Sequence, residues 1–143
     1  MKKARNATAL EKEGVDESTV YQALLDLYFW TLEHHLEFYD QGDTRPTTGW
    51  VGKWGDGCFA YIHRRFKKIM EEKGYVDSRE IIEQWRKMGL LEQGIDKNRL
   101  TKRLRIDGYP EWVIVLNQAK VSRLTLDLIT DIYARQHSHS KTA

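Results

Sequence analysis

Basic side chains recur at β-strand spacing in the segment LTKRLRIDGYPEWVIVLN, which covers residues 100–117. Arg103 and Arg105 alternate there with apolar residues, so a β-strand would carry both guanidinium groups on one face. The Asp-Gly pair at 107–108 predicts a tight turn, after which the chain returns as a second strand. Cations beside such a turn can neutralise phosphates, which indicates a polyanionic partner. A basic strand is also typical of a solvated sheet edge that is protected against aggregation.

The positive charge is concentrated in the middle of the chain. The 143 residues carry a formal net charge of +2. Residues 1–59 hold 6 basic and 10 acidic side chains, residues 60–105 hold 13 and 7, and residues 106–143 hold 4 and 4. Because the excess of cations lies in one contiguous third, it indicates a nucleic-acid partner more clearly than the overall charge does.

Sequence signatures of catalysis are absent. A phosphate-binding loop would need Ser or Thr after the Gly-Lys pair at 52–53 and Gly at position 47, but the chain has Trp54 and Thr47 there. The adjacent carboxylates at 71–72 fit an exposed helix surface and do not suggest acid–base chemistry. We therefore predict a protein without enzymatic activity and without a cofactor.

Metal-ligand spacing is absent as well. His34 and His35 are adjacent, so a helix would turn their rings to different faces, whereas a shared metal needs an i, i+4 pair. His137 and His139 lie in a polar C-terminal segment and would supply two ligands without a fixed geometry. Cys58 is the single cysteine, so it cannot form an internal disulfide; we predict a core thiol in a reducing compartment.

Hydrophobic periodicity predicts an α+β fold that is mostly helical, a winged helix-turn-helix with an added N-terminal and an added C-terminal helix. The expected organisation is a flexible arm over 1–16, a single domain over 17–136 and a flexible tail over 137–143. Within the domain we expect a long N-terminal helix over 17–41, a winged-helix module over 58–117 and a C-terminal helix over 120–136. The glycine-rich connector between the first two is expected to hold a short strand at 50–54.

Two short helices joined by a tight turn are predicted inside the winged-helix module. The first covers residues 63–74, where apolar side chains recur at helical spacing, and Gly74 ends it. Asp77 with Glu80 three residues later marks the start of the second helix. Because only residues 74–76 separate the two helices, the pair is typical of a helix-turn-helix.

The candidate DNA contacts follow from this order of elements. The second helix of such a pair fits the major groove, and the neighbouring hairpin, or wing, can lay cations along the phosphate backbone. The predicted contacts are Arg79, Arg86 and Lys87 on the second helix, Lys97, Arg99, Lys102, Arg103 and Arg105 on the wing, and Tyr109 at its tip. Glu80 and Glu83 would repel phosphate, so weak sequence specificity is expected. The first-helix cations are either further backbone contacts or a solvated face: Arg64, Arg65, Lys67 and Lys68.

Four segments carry a resemblance to a known family: ALLDLYFWTLEHHLEFY, GWVGKWGDGCFAYI, FKKIMEEKGYVDSREIIEQWRKMGLLEQG and LTKRLRIDGYPEWVIVLN. In this order, over about residues 20–117, the chain resembles the C-terminal end of phage- and mobile-element-encoded primase-helicase-like ATPases, the group catalogued as domain of unknown function 927. The resemblance implies a winged-helix appendage that engages DNA beside an ATPase core. Because the nucleotide-binding core is absent from this sequence, no ATPase residue is transferred to it.

The resulting hypothesis is a DNA-binding winged-helix module of a phage or mobile-element replication protein, with duplex or forked DNA as its partner. The alternative is a protein-interaction module, in which apolar stripes on the terminal helices dock onto an ATPase or helicase core or pair in a homodimer. No apolar run approaches the length needed to span a bilayer, and the N-terminus lacks the apolar core of a signal peptide. We therefore expect a cytoplasmic protein without a membrane partner.

Overall fold

The computed structural model describes residues 15–92 and 99–142, with side chains through His137. In these ranges the elements are α1 (Glu17–Glu33), a 3-10 helix (His35–Glu37), β1 (Phe38–Tyr39), β2 (Gly52–Gly55), β3 (Cys58–Ile62), α2 (His63–Glu72), α3 (Ser78–Lys87), β4 (Lys102–Ile106), β5 (Tyr109–Asn117) and α4 (Gln118–Thr142). The α+β fold, with a winged helix-turn-helix between two further helices, is confirmed. No helix of the described ranges is long and apolar enough to cross a membrane.

The strands form one sheet in the order β1-β2-β3-β5-β4. The antiparallel strands β3, β5 and β4 belong to the winged-helix module, and β1 and β2 extend the sheet beyond β3. Gly52 allows β2 to pair closely with β3, because a Cβ there would lie 1.8 Å from the carbonyl oxygen of Ala60. The strand expected at 50–54 is thus present with shifted bounds, while β1 was not expected.

The two faces of the sheet bury separate apolar clusters. The front face, defined here as the face covered by the helices, buries five strand side chains: Phe38, Phe59, Tyr61, Ile114 and Leu116. The opposite, back face buries a smaller cluster: Trp50, Ala60, Ile62, Ile106, Val113 and Val115. Because successive side chains of a strand point to opposite faces, this separation also decides which side of the wing each of its cations occupies.

The turn between α2 and α3 is held by backbone and side-chain bonds. Gly74 adopts φ +94 and its N–H donates to the Glu71 carbonyl at 3.0 Å, so α2 ends in the left-handed conformation that glycine tolerates. The Tyr75 hydroxyl donates to Asp26 of α1 at 2.5 Å. Burial and this hydrogen bond raise the pKa of the Tyr75 hydroxyl, which therefore holds its proton more firmly than a free tyrosine does. The Asp77 side chain accepts the N–H of Glu80 and caps α3 as predicted.

Trp85 joins α3 to both of the other helices of the core. Its side chain is fully buried, and its Nε1 donates to the carbonyl oxygen of Val20 in α1 at 3.1 Å. The ring also meets that of Phe66 in α2, with centroids 6.2 Å apart in an edge-to-face arrangement. Because Trp85 fixes the buried side of α3 against α1 and α2, it also determines the direction in which the exposed side of α3 faces.

The N-terminal helix is shorter than expected. It begins after the Asp16 cap as predicted, but ends at Glu33 and not at position 41. The His34 ring stacks on Trp30 at 4.0 Å between centroids, and its Nδ1 lies 2.8 Å from the Trp30 carbonyl oxygen. The chain then enters β1, where Phe38 pairs with β2 and is fully buried. Burial in the sheet therefore prevails over a periodicity that also fits a helix.

The C-terminal helix is longer than expected. It covers Gln118–Thr142, 25 residues, and includes most of the segment that was interpreted as a flexible tail over 137–143. No glycine or proline follows Gln118 in the sequence, so no residue type interrupts the helix. The polar composition of the segment was therefore a poor indicator of where the helix ends.

Replacing Trp85 with Phe should lower the free energy of unfolding by about 2 kcal/mol, because a cavity forms and the Val20 carbonyl loses its donor. Urea unfolding followed by circular dichroism measures the change. Val76→Ser is the control, since Val76 is 94% exposed and should change the stability by less than about 0.5 kcal/mol. Equal midpoints for both variants would contradict the anchoring role of Trp85.

Candidate nucleic-acid interface

A cleft of about 330 Å³ opens on the front face between the two short helices and the segment that leads into β4. Its lining residues are His63 and Lys67 of α2, Ser78, Arg79 and Ile82 of α3, Arg99, Leu100 and Thr101 before β4, and Ile114 of β5. None of these described lining residues is a carboxylate. Lys67, Arg79 and Arg99 therefore make a positively charged surface, called here the basic cleft.

Both short helices begin at the basic cleft. His63 is the first residue of α2, and Ser78 is the first residue of α3. The N-terminal end of a helix carries a partial positive charge and N–H groups that lack intrahelical partners. The two helix ends therefore add to the positive potential that the basic side chains create.

Trp112 continues this surface onto the wing. It lies directly across from Arg103 in the β4–β5 register. The guanidinium carbon of Arg103 is 5.0 Å from the centroid of the indole ring, and that of Arg99 is 4.9 Å from the same centroid. Both are cation–π contacts, so these three side chains form one group, called here the Trp112 stack.

The exposed side of α3 carries both signs of charge. Arg79, Glu83, Arg86 and Lys87 recur at i, i+4, i+7 and i+8, which is one helix face. Arg86 forms a salt bridge with Glu83 through its Nε and Nη2 atoms. Glu80, on the neighbouring face, accepts a hydrogen bond from Gln84 at 3.0 Å. The two carboxylates that would repel phosphate are thus both engaged within the helix.

The tip of the wing is a rigid two-residue turn. Asp107 and Gly108 both have positive φ, +54 and +85, as the Asp-Gly prediction required. Arg105 donates from Nη1 to the carbonyl oxygen of Gly108 at 2.7 Å. The Trp50 indole N–H donates to Asp107 at 3.0 Å and connects the turn to the connector before β2. Arg105 remains exposed on the front face beside Arg103.

The structure brings together part of the predicted set and separates the rest. Arg79, Arg99, Arg103 and Arg105 share the front face, while Arg86 and Lys87 lie at the far end of α3. Lys102 pairs with Val113 and Tyr109 pairs with Ile106, and Val113 and Ile106 are buried on the back face. Lys102 and Tyr109 therefore lie on the back face as well. Successive side chains of a strand point to opposite faces, so Arg103 and Arg105 share one face and the residues next to them in the strand lie on the other. Lys97 lies outside the described residues.

Two of the first-helix cations have partners within the protein. Arg65 donates from Nη1 to the carbonyl oxygens of Thr48 at 3.0 Å and Gly49 at 3.2 Å. Arg64 forms a salt bridge of 3.5 Å with Glu111 of β5. The guanidinium group of Arg65 therefore fastens the connector to α2, a role that neither interpretation of the first-helix cations included.

His63 and Trp112 were missed as site residues. His63 is the first residue of a helix that directly follows a strand. The sequence does contain a signal for Trp112, because a two-residue turn at 107–108 makes Arg103 the cross-strand partner of Trp112.

The described residues offer neither a metal site nor an activated thiol. They contain no group of three His, Cys, Asp or Glu side chains that could hold a metal ion. Burial raises the pKa of Cys58, and the charge of Glu92 raises it further, so the thiolate is disfavoured. A reactive cysteine would need the opposite shift.

The fold and this surface together are those of a helix-turn-helix DNA-binding domain. The family model described as "Cch helix turn helix domain" matches residues 18–118, which is more than half of the chain. The chain belongs to this family. No curated protein has a significantly similar sequence.

Replacing Arg65 with Ala should lower the free energy of unfolding by about 1–3 kcal/mol, because three carbonyl oxygens, those of Thr48, Gly49 and Trp50, lose a charged donor. The same substitution at Lys68, an exposed cation on the same helix, is the control and should change stability by less than about 0.5 kcal/mol. Thermal unfolding followed by circular dichroism compares them. Identical curves for the two variants would show that Arg65 does not fasten the connector.

Proposed function

We propose that the chain binds duplex or forked DNA, with weak sequence specificity, through the basic cleft, the Trp112 stack and the exposed side of α3. The observation that carries this proposal is the convergence of Lys67, Arg79 and Arg99 on one cleft. These cations come from three separate segments of the chain. A solvated sheet edge would not require cations from α2 and α3 to meet those of the wing.

The dimensions of the surface suit a DNA duplex. An α-helix with its side chains is about 10–12 Å across, and the major groove is about 12 Å wide, so the ten-residue helix α3 can enter it. With α3 directed toward the groove, the wing arginines on the same sheet face would meet the adjacent phosphate backbone. Each neutralised phosphate contributes about −0.9 to the slope of log K against log salt, so we expect strongly salt-dependent binding.

The charge pattern of α3 favours backbone binding over base reading. Glu83 neutralises Arg86, and Gln84 is hydrogen-bonded to Glu80. Base discrimination usually depends on side chains whose donors and acceptors are available for bidentate contacts. Arg79 and Lys87 remain exposed, which is a small set for direct readout and supports weak specificity.

The biological setting is proposed from the resemblance alone. The likeness of residues 20–117 to the C-terminal end of primase-helicase-like ATPases supports a helicase-associated role in replication of a phage or mobile element. In this role the chain binds DNA and the ATPase core of a partner or of a longer chain performs the chemistry. A DNA partner and a single reduced Cys58 support the cytoplasm as its location.

Replacing Arg103 with Glu should weaken binding to a DNA duplex about tenfold or more and reduce the salt slope by about 1, because a phosphate contact is lost and repulsion is introduced. Adding Arg105→Glu should weaken binding further. Fluorescence anisotropy at several salt concentrations, with duplex, forked and single-stranded DNA, measures both quantities.

Lys102→Glu is the matched control for this prediction. Lys102 precedes Arg103 on the same strand, undergoes the same change of charge and lies on the back face. Its substitution should weaken binding several-fold less than Arg103→Glu does. Equal losses at both positions would contradict a front-face interface, and an absence of binding by the unaltered chain at low salt would refute the proposed function.

A second candidate function, self-association, is favoured by the exposed apolar residues of α4. Leu126 is 63% exposed and Tyr133 is 59% exposed, and with Ile129 they recur at i, i+3 and i+7. This narrow stripe is the spacing by which two helices pack along a common seam. A second copy of α4 carries the same stripe, which supports a homodimer. The alternative partner for the stripe is a helicase core.

Replacing Leu126 with Asn should shift a homodimer toward monomer, because a polar side chain in the seam loses apolar burial. Asp127→Asn introduces the same residue one position away, off the stripe, and should leave the assembly unchanged. Light scattering of the purified chain measures the mass. If the unaltered chain is monomeric across the concentration range, self-association is refuted.

A further inference from the structure

We infer that Trp112 is a positioning residue, which holds Arg99 and Arg103 as a paired clamp for successive phosphates of one DNA strand. The inference rests on the proposed function and extends it to a residue without a charge of its own. Its structural basis is the Trp112 stack, in which one indole ring contacts two guanidinium groups at 4.9 and 5.0 Å. The ring is 40% exposed, so the stack lies at the surface.

The ring orients two side chains that come from different parts of the chain. Arg103 belongs to β4 and faces Trp112 across the hairpin, whereas Arg99 precedes the strand and lines the basic cleft. An arginine at a protein surface samples many rotamers, and ordering it on binding costs conformational entropy. A ring that already restricts both side chains reduces that cost before DNA arrives.

Stacking leaves the hydrogen-bonding groups of arginine available. A guanidinium group contacts an aromatic ring through its planar face, while its N–H donors project from the edges of the plane. Those donors match the paired oxygens of a phosphate. Trp112 can therefore hold Arg99 and Arg103 through the faces of their guanidinium groups without itself occupying their N–H donors.

The spacing of the pair suits a single strand of the backbone. Because both guanidinium carbons lie within 5.0 Å of the same centroid, they are at most about 10 Å apart, so both can contact neighbouring phosphates of one strand. The basic cleft continues from Arg99 toward Lys67 and Arg79. The DNA strand held at Trp112 would thus pass from the wing toward the start of α3.

The test compares Trp112→Leu with Trp112→Phe in duplex-binding titrations over a series of salt concentrations. Leu removes the ring and should weaken binding roughly three- to tenfold, whereas Phe keeps an aromatic face and should lose less than about threefold. The salt slope should stay the same in both variants, because the arginines still reach phosphates but are less well ordered. Trp112→Thr, which retains β-strand propensity without a ring, is a second ringless variant in case Leu impairs folding.

A background that lacks both arginines separates positioning from a general effect on folding. In the Arg99→Gln, Arg103→Gln protein, the further change Trp112→Leu should have no additional effect on DNA affinity, since nothing remains for the ring to hold. A loss of affinity that persists in this background, or equal losses for Leu and Phe, overturns the inference while the proposed function stands. An unaltered chain that does not bind DNA overturns the proposed function itself.

Discussion

Burial of Trp85 and Tyr61 between the helices and the front face of the sheet is the constraint on which the interface depends. Trp85 ties α3 to α1 through the Val20 carbonyl. The hydroxyl of Tyr61 is 2.8 Å from Oγ1 of Thr31, which itself donates to the Leu27 carbonyl, so β3 is tied to the same helix. Because a close-packed interior transmits position with little slack, α3 and the wing hold a fixed relation although the chain between them is long.

The pleat of β4 sorts the basic residues of the wing into two classes. Arg103 and Arg105 share the face that the helices cover, and Lys102 occupies the other. On the front face the cations meet those of α2 and α3, and Trp112 holds two of them against its ring. On the back face, Trp50 and Asp107 connect the wing to the connector. The front side of the hairpin thus carries the exposed arginines, while its back side is attached to the connector.

Much of the fold and a part of the site could be predicted from local signals. The Asp77 cap, the left-handed Gly74 and the Asp-Gly turn each act within a few residues, so their outcomes follow from residue type. The end of α1 did not follow, because Phe38 fits a helical stripe and only the partner strand β2 makes it a strand residue. Likewise, Arg65 and Arg103 are indistinguishable as sequence letters. Their different surroundings, connector carbonyls for one and an indole ring for the other, arise from segments distant in sequence.

The sequence by itself determined the two short helices followed by the hairpin, the concentration of cations in the middle third and the register of the wing, since these follow from composition and nearest neighbours. Only the tertiary structure decided which cations share a surface, that His63 and Lys67 line the basic cleft, and that Glu80 and Glu83 are engaged within α3. The physical reason is that an electrostatic surface is made by charges a few ångströms apart in space. Such proximity is set by the packing of helices on a sheet, and not by separation along the chain.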